Sequence, residues 1–194
     1  MLRRVRARSA ARKEGRSRRE RGAAALEFAL VAPLFFFVMF GGIEVGLMFR
    51  SNLTLSDAAR NGARVGSIER SSAEADRAII TRIYNQSQNL NGDIKRIVIY
   101  KADTMASSVP DDCKTGASKA GVCNVYVTAE GGGGDDLKAI SEGGGTLQTG
   151  YDSADRLKLT NIGIWIEYEY SYVTGFFDST TLTAESVEVI ELDL

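Results

Sequence analysis

The chain has 194 residues, with 24 basic and 25 acidic side chains, a formal net charge of −1 and no histidine. That length allows one domain, or at most two, around one small core. Lack of histidine excludes Ser-His-Asp and Cys-His catalysis and the commonest zinc ligands, and two cysteines alone cannot build a structural zinc site.

The near-neutral total hides an asymmetry. Residues 1–22 carry nine arginines and one lysine against Glu14 and Glu20, a net +8. The other residues carry 14 basic and 23 acidic side chains, a net −9. The basic arm has almost no large apolar side chains, so disorder is expected there. It has no aromatics and runs straight into an apolar stretch, which argues against a nucleic-acid partner. Ser17-Arg18-Arg19 matches a twin-arginine signal only in part, because Glu20-Arg21 stand where apolar residues are needed.

From Ala23 to Phe49, 27 residues contain two charges, Glu27 and Glu44. A helix of that length rises roughly 40 Å, against about 30 Å of hydrocarbon. A transmembrane helix is therefore expected over residues 23–49. Its uninterrupted apolar part, Phe28 to Ile43, reaches about 24 Å and borrows from both shoulders. Glu27 lies one turn inside the near end, where the helix dipole favours negative charge. Glu44 lies near the far end, where it reaches the interface or meets a partner. Pro33 removes one backbone bond and should kink the helix. A cleaved secretory signal fits less well, because the run exceeds the usual apolar region and no clean A-x-A site follows. A basic flank before a span stays cytoplasmic, which puts residues 50–194 outside the inner membrane.

The stretch RGAAALEFALVAP resembles the N-termini of TadE-like pseudopilins of tight-adherence (Flp-type) pilus systems. The shared pattern is a basic leader, Gly22, four residues, Glu27-Phe28, and an apolar segment carrying Pro33. The likeness continues through GGIEVG (41–46) and DAARNGARVG (57–66). The resemblance implies a minor pilin-like component needed for pilus assembly, with a pilin-like exported domain. It implies cleavage between Gly22 and Ala23 by a prepilin peptidase, with Glu27, Phe28, Pro33 and Glu44 in the processing and assembly motif. The implied partners are that peptidase, other pilins and pseudopilins, the inner-membrane assembly platform and membrane lipid. No catalysis, cofactor or metal is implied. A single-pass anchored assembly factor or surface-binding module that is never cleaved is the alternative, because the Gly-rich 130–150 insertion exceeds what a minimal pseudopilin needs.

Beyond the span, Arg50 to Asn61 should continue the helix as a stalk. Arg60 and Arg64 form a like-charged i,i+4 pair that should seek acids elsewhere or contact lipid phosphates or a neighbouring subunit. Gly62 and Gly66 should thin the helix and end it near Ser67. A second helix is predicted over 72–88, capped by Ser71 or Ser72, with Glu74 in its first turn. Its stripe is Ala75, Ala78, Ile79, Arg82 and Ile83, with Ile80 and Tyr84 beside it, packed on a sheet.

Four strands are predicted. Ile94 to Tyr100 is a short apolar run, expected to be central. Val122 to Thr128 alternates, with Val125 and Val127 opposite Tyr126. In Ile162 to Val173, Ile164, Ile166, Tyr168, Tyr170 and Tyr172 face one way, and Trp165, Glu167, Glu169 and Ser171 the other. Val187 to Leu192 is the last strand, with a bulge expected between Val189 and Ile190. Helices followed by strands without regular alternation give an α+β fold: a membrane helix extended as a stalk, and a second helix on a small antiparallel sheet. The expected division is leader 1–22, span 23–49 and extracytoplasmic domain 50–194. Cys113 and Cys123 should pair outside the cytoplasm, contributing roughly 2.5–3 kcal/mol. The stretch 130–152 reads as an exposed, flexible Gly-rich loop. Its GGGGDDLKA matches part of a calcium-binding nonapeptide repeat, but occurs once and has Lys138 where an apolar residue belongs.

Overall fold

The computed structural model describes residues 3–69, 74–128, 137, 140, 147, 148, 160–175 and 178–190. Its elements are α1 (Arg3–Ile68), α2 (Ala75–Ser87), β1 (Gly92–Ala102), α3 (Asp111–Thr115), β2 (Cys123–Val127), β3 (Asn161–Tyr170) and β4 (Thr180–Val189). The chain divides into two units, residues 1–45 and 46–194.

The first unit is the N-terminal part of α1. The helix begins at Arg3, so the basic arm has helical backbone where the sequence predicted disorder. Its arginines, alanines and glutamates are good helix formers, and extending an existing helix needs no new nucleus. The helix continues through Pro33 to Ile68, close to the predicted end. Large apolar side chains stand exposed around its surface, with Phe28 70 %, Leu30 73 % and Phe37 59 % exposed. A helix apolar on all sides needs apolar surroundings.

The second unit begins with the last part of α1. Ser51, Leu55, Ala58, Ala59, Gly62, Ala63 and Gly66 are buried there, spaced by threes and fours along one face. Helix α2 presents Ile79, Ile80 and Ile83 to the same core. It starts at Ala75, after the predicted 72. Its N-cap is Glu74, which makes no side-chain capping bond, while Ser71 and Ser72 lie outside the described residues. Arg82 is exposed, and Asp76 takes a place on the buried stripe instead.

The sheet is antiparallel in the order β2-β1-β3-β4, so the α+β expectation holds and the first predicted strand is central. Strand β3 alternates as predicted: Ile162, Ile164, Ile166, Tyr168 and Tyr170 join the helix-side core, and Trp165 the opposite cluster. It ends at Tyr170, but Tyr172 still packs on the core, and its hydroxyl lies 3.8 Å from Met48 Sδ. Strand β4 is Thr180–Val189, earlier than predicted, and residues 191–194 lie outside the described residues. Rather than falling between Val189 and Ile190, the bulge is in β1, between Ile94 and Arg96. The extra residue lets Ile94, Ile97 and Ile99 all enter the helix-side core, although Ile94 and Ile97 have opposite strand parity.

A second cluster covers the other face: Val98, Tyr100, Val109, Cys113, Val125 and Trp165 are among its members. The Tyr100 ring lies across Gly163, where any Cβ would collide with it. Helix α3, unforeseen in the sequence, follows Pro110 and carries Asp111 and Asp112 in its first turn.

The contact between α1 and α2 is limited by its glycines. A Cβ on Gly62 would come within 2.8 Å of Ile83 Cδ1 and 2.9 Å of Ile83 Cγ1. A leucine there overpacks the seam, costing about 1–3 kcal/mol, while its better helix propensity returns less than about 1 kcal/mol. Gly62→Leu is expected to lower stability in denaturant unfolding followed by Trp165 fluorescence. Gly62→Ala, in which the two effects nearly cancel, should stay close to wild type. Equal stability of all three proteins would show that the seam is not tight.

Candidate functional site

The residues of the expected processing motif lie in sequence along α1. Gly22, Ala23, Glu27 and Phe28 are exposed, and Pro33 is an exposed position inside the helix. On an ideal helix, Gly22, Pro33 and Glu44 fall within about 40° of one another, because successive members are three turns apart. The expected motif residues thus lie along a helix surface and not in a pocket. A Cβ placed on Gly22 would meet nothing within 4 Å. Among the described residues nothing demands glycine at that position. Glu44 behaves differently from Glu27, being only 1 % exposed, with exposed Ile43 and Val45 on either side. Burial withdraws its carboxylate from the exposed surface of the helix.

Cys113 and Cys123 form a disulfide, as expected. It ties α3 to the start of β2 inside the outer cluster. The exposed Asp112 carboxylate nearby is held below its ordinary range by a hydrogen bond from Lys119 and by that ammonium's charge.

Sequence reasoning missed the polar centre of the second unit. Asp76, in the first turn of α2, is buried. Asn124 Nδ2 donates to its Oδ2 at 2.7 Å, and the Tyr126 hydroxyl donates at 2.5 Å. Both donors also hold Gln148: its backbone N–H donates to Tyr126 Oη at 3.0 Å, and its carbonyl accepts from Asn124 Nδ2 at 3.2 Å. Ser118 Oγ donates to Gln148 Oε1 at 3.0 Å. One residue later in α2, Arg77 pairs with Glu74 and donates through Nη1 to the Ile140 carbonyl at 2.9 Å. The first turn of α2 thus fixes residues belonging to the Gly-rich part of the chain. Leu137 and Ile140 sit in the helix-side core, 2 % and 0 % exposed, which corrects the expectation of a wholly exposed loop there. The rest of GGGGDDLKA lies outside the described residues. A signal for Asp76 existed: it precedes Ile79 and Ile80 by three and four residues, on the stripe that the isoleucines define.

Across the sheet, the Tyr100 hydroxyl and the Val109 backbone N–H both donate to Glu185 Oε1 at 2.5 Å. Burial, and then Glu185, raise the Tyr100 phenol well above its ordinary value. The Tyr168 phenol is pushed up to about 12, chiefly by burial and then by Asp93 and Tyr170. Glu167 and Glu169 lie on the outer side, as predicted, paired with Arg96 and Lys95. Hydrogen bonds from Lys95 and then Ser179 hold Glu169 below the usual carboxylate range. Among the described residues no group of three or more acidic or cysteine side chains is placed to hold a metal ion.

One N-terminal helix, long and apolar enough to cross a bilayer, and an α+β unit define the class: the arrangement is consistent with a single-pass membrane anchor carrying a small folded domain. Within that class, residues 22–64 match the family model TadE, described as TadE-like protein, so this segment is similar to that family. The TadE-like family is one of pilus components and not of enzymes, and the match suggests a pilus-associated, pseudopilin-like protein. No curated protein and no solved structure matches the chain.

Two outcomes test the centre and the staple. Asp76→Ala removes the acceptor of two buried donors and should cost about 2–4 kcal/mol in urea unfolding. Adding Tyr126→Phe removes the stranded hydroxyl but also the acceptor of the Gln148 N–H, so the double variant should lose less than the sum of the two single losses; strict additivity of the two changes would refute the coupling. Replacing Cys113 and Cys123 together by serine should cost about 2.5–3 kcal/mol and lower Tm by about 8–11 °C. An unchanged Tm would mean that the bond does not stabilise the fold.

Proposed function

We propose that the chain is a minor pilin-like component required for assembly of a tight-adherence pilus, made as a precursor and matured by a prepilin peptidase. The observation that carries this is the starting point of the TadE-like match, at Gly22, where the +8 arm gives way to the apolar helix. In this reading residues 1–22 are a cytoplasmic leader, 23–49 the span in the inner membrane and 50–194 the extracytoplasmic domain. The peptidase cuts between Gly22 and Ala23, and the protein is substrate rather than catalyst. Helical glycine costs about 1 kcal/mol relative to alanine, and Gly22 is not required by contacts within the chain. Its use fits an outside reader that must approach the backbone closely.

Cutting removes the charged arm that holds the span on the cytoplasmic side. The freed helix can then leave the bilayer and bury its apolar surface by packing among other pilins. Glu27 becomes the fifth residue of the mature chain, about 6 Å along the axis from the new ammonium. Within one subunit the two charges meet poorly. Between subunits offset in register, they pair in apolar surroundings, where attraction is strong and misplacement costly. Phe28 and Pro33 complete the docking surface, and the assembly platform is the further partner. A second reading, an uncleaved single-pass assembly factor or surface-binding module, draws on the continuity of α1 across Gly22 and Ala23.

Co-expression with the peptidase should yield a mature protein that begins at Ala23, read by intact mass. Gly22→Leu should block the cut. Glu27→Gln should leave both cleavage and insertion intact while piliation falls sharply. A chain that stays full length beside an active peptidase supports the uncleaved reading. Normal piliation by Glu27→Gln would reduce that residue to a complement of the helix dipole, worth about 0.3–1 kcal/mol.

A further inference from the structure

A pocket of about 80 Å³ lies wholly within the second unit, where three stretches of chain meet. Leu47 and Arg50 come from α1, Asn89, Leu90 and Asn91 from the turn between α2 and β1, and Val173 from the residues after β3. The floor is fixed by a reciprocal clamp: Ser171 N–H donates to the Asn91 carbonyl at 2.9 Å, and Asn91 Nδ2 donates back to the Ser171 carbonyl. Leu90 N–H donates to the Ser87 carbonyl at 3.0 Å and closes the turn.

Arg50 is the first cation after Arg21 and directly follows Phe49, the last residue of the apolar span. Among the described residues its guanidinium has no acidic partner. The Ser51 hydroxyl already donates to the Leu47 carbonyl, which leaves the cation as the strongest polar feature of the pocket. Val173, which lines the pocket, is 61 % exposed, as is Phe49, the residue before Arg50 in the chain. A fixed pocket with one uncompensated guanidinium and an apolar rim, at the residue where a span ends, has the chemistry of a headgroup seat. Guanidinium matches phosphate oxygens in a two-pronged geometry that an ammonium lacks.

We propose that this pocket seats the phosphate of an anionic phospholipid, with Arg50 as its countercharge, the Asn89 amide at its rim, and Leu90 and Val173 against the glycerol backbone and upper acyl chain. The proposal rests on the reading that residues 23–49 lie in a bilayer. A juxtamembrane cation contributes about 1 kcal/mol of attraction to an anionic surface, equivalent to about fivefold in occupancy.

The test uses the full chain in nanodiscs of phosphatidylcholine with phosphatidylglycerol, the latter carrying a photoreactive group either on its headgroup or in its acyl chain. Labelled peptides are mapped by mass spectrometry. The headgroup probe is expected to label residues 89–91 and 170–173, and Arg50→Gln should reduce that labelling about fivefold. The acyl probe should label residues 28–43 equally in both proteins. If 28–43 is labelled while 89–91 and 170–173 are not, or if Arg50→Gln changes nothing, the seat is refuted and the anchor stands. If 28–43 is not labelled, the membrane reading fails and the seat with it. Loss of headgroup labelling on adding inorganic phosphate would identify a free-phosphate site, and a crosslink to a second copy in place of lipid would identify a subunit contact; either overturns the proposal.

Discussion

The second unit depends on how closely α1 can approach what packs against it. Ala58, Ala59, Gly62, Ala63 and Gly66 give the helix almost no side-chain thickness on one side. Ile79 and Ile83 of α2 and Ile162 of β3 fill the space so released, and a Cβ on Gly66 would already lie 2.7 Å from Ile162 Cδ1. Each helical glycine costs about 1 kcal/mol relative to alanine, while each fully buried isoleucine contributes about 1.5–3 kcal/mol. Burial wins, and the seam stays thin. The same helix carries its large apolar side chains around the surface in its N-terminal part, so one continuous element serves two different surroundings.

The polar interactions of the second unit are placed where packing alone would leave position unspecified. Asp76 fixes Asn124 and Tyr126, and these fix Gln148 through both its backbone groups. On the opposite face Glu185 collects the Tyr100 hydroxyl and the Val109 N–H, tying β1 and the segment before α3 to β4. In both cases a carboxylate accepts two donors distant from it in sequence: Asn124 and Tyr126 of β2 for Asp76, and Tyr100 of β1 and Val109 for Glu185. Apolar side chains tolerate sliding; a two-donor carboxylate does not, because displacement strands a desolvated group.

The legible parts of the sequence were those where pattern and burial agree. Strand β3 reads directly, because both its faces are covered and its alternation is uninterrupted. The cysteine pair and the apolar span are equally plain. Strand β4 was placed too late because Thr180 to Thr183 hold a single large apolar residue; only Leu182 and Ala184 face the helix-side core there. The bulge was assigned to the wrong strand because a parity change can mark either a bulge or a strand end. Helix α3 is too short for periodicity to show. Asp76 is hard to read from the sequence because a charge on an apolar stripe ordinarily belongs to the solvent side, and its partners are 48 and 50 residues away. Leu137 and Ile140 were masked by the glycines around them. The candidate processing motif is legible only as a resemblance, because its residues share a helix rather than a cavity and form no geometric cluster.

The sheet separates two apolar clusters, with α1 and α2 on one side and the disulfide and α3 on the other. Side chains on opposite faces share few neighbours, so substitutions on the two sides should combine almost additively. Lineages carrying this fold could therefore drift on the outer face, in the α3 region and the cysteine-bounded loop, without altering the helix seam. Substitutions would accumulate there first, and a lineage that lost the cysteines would still inherit an intact helix-side core.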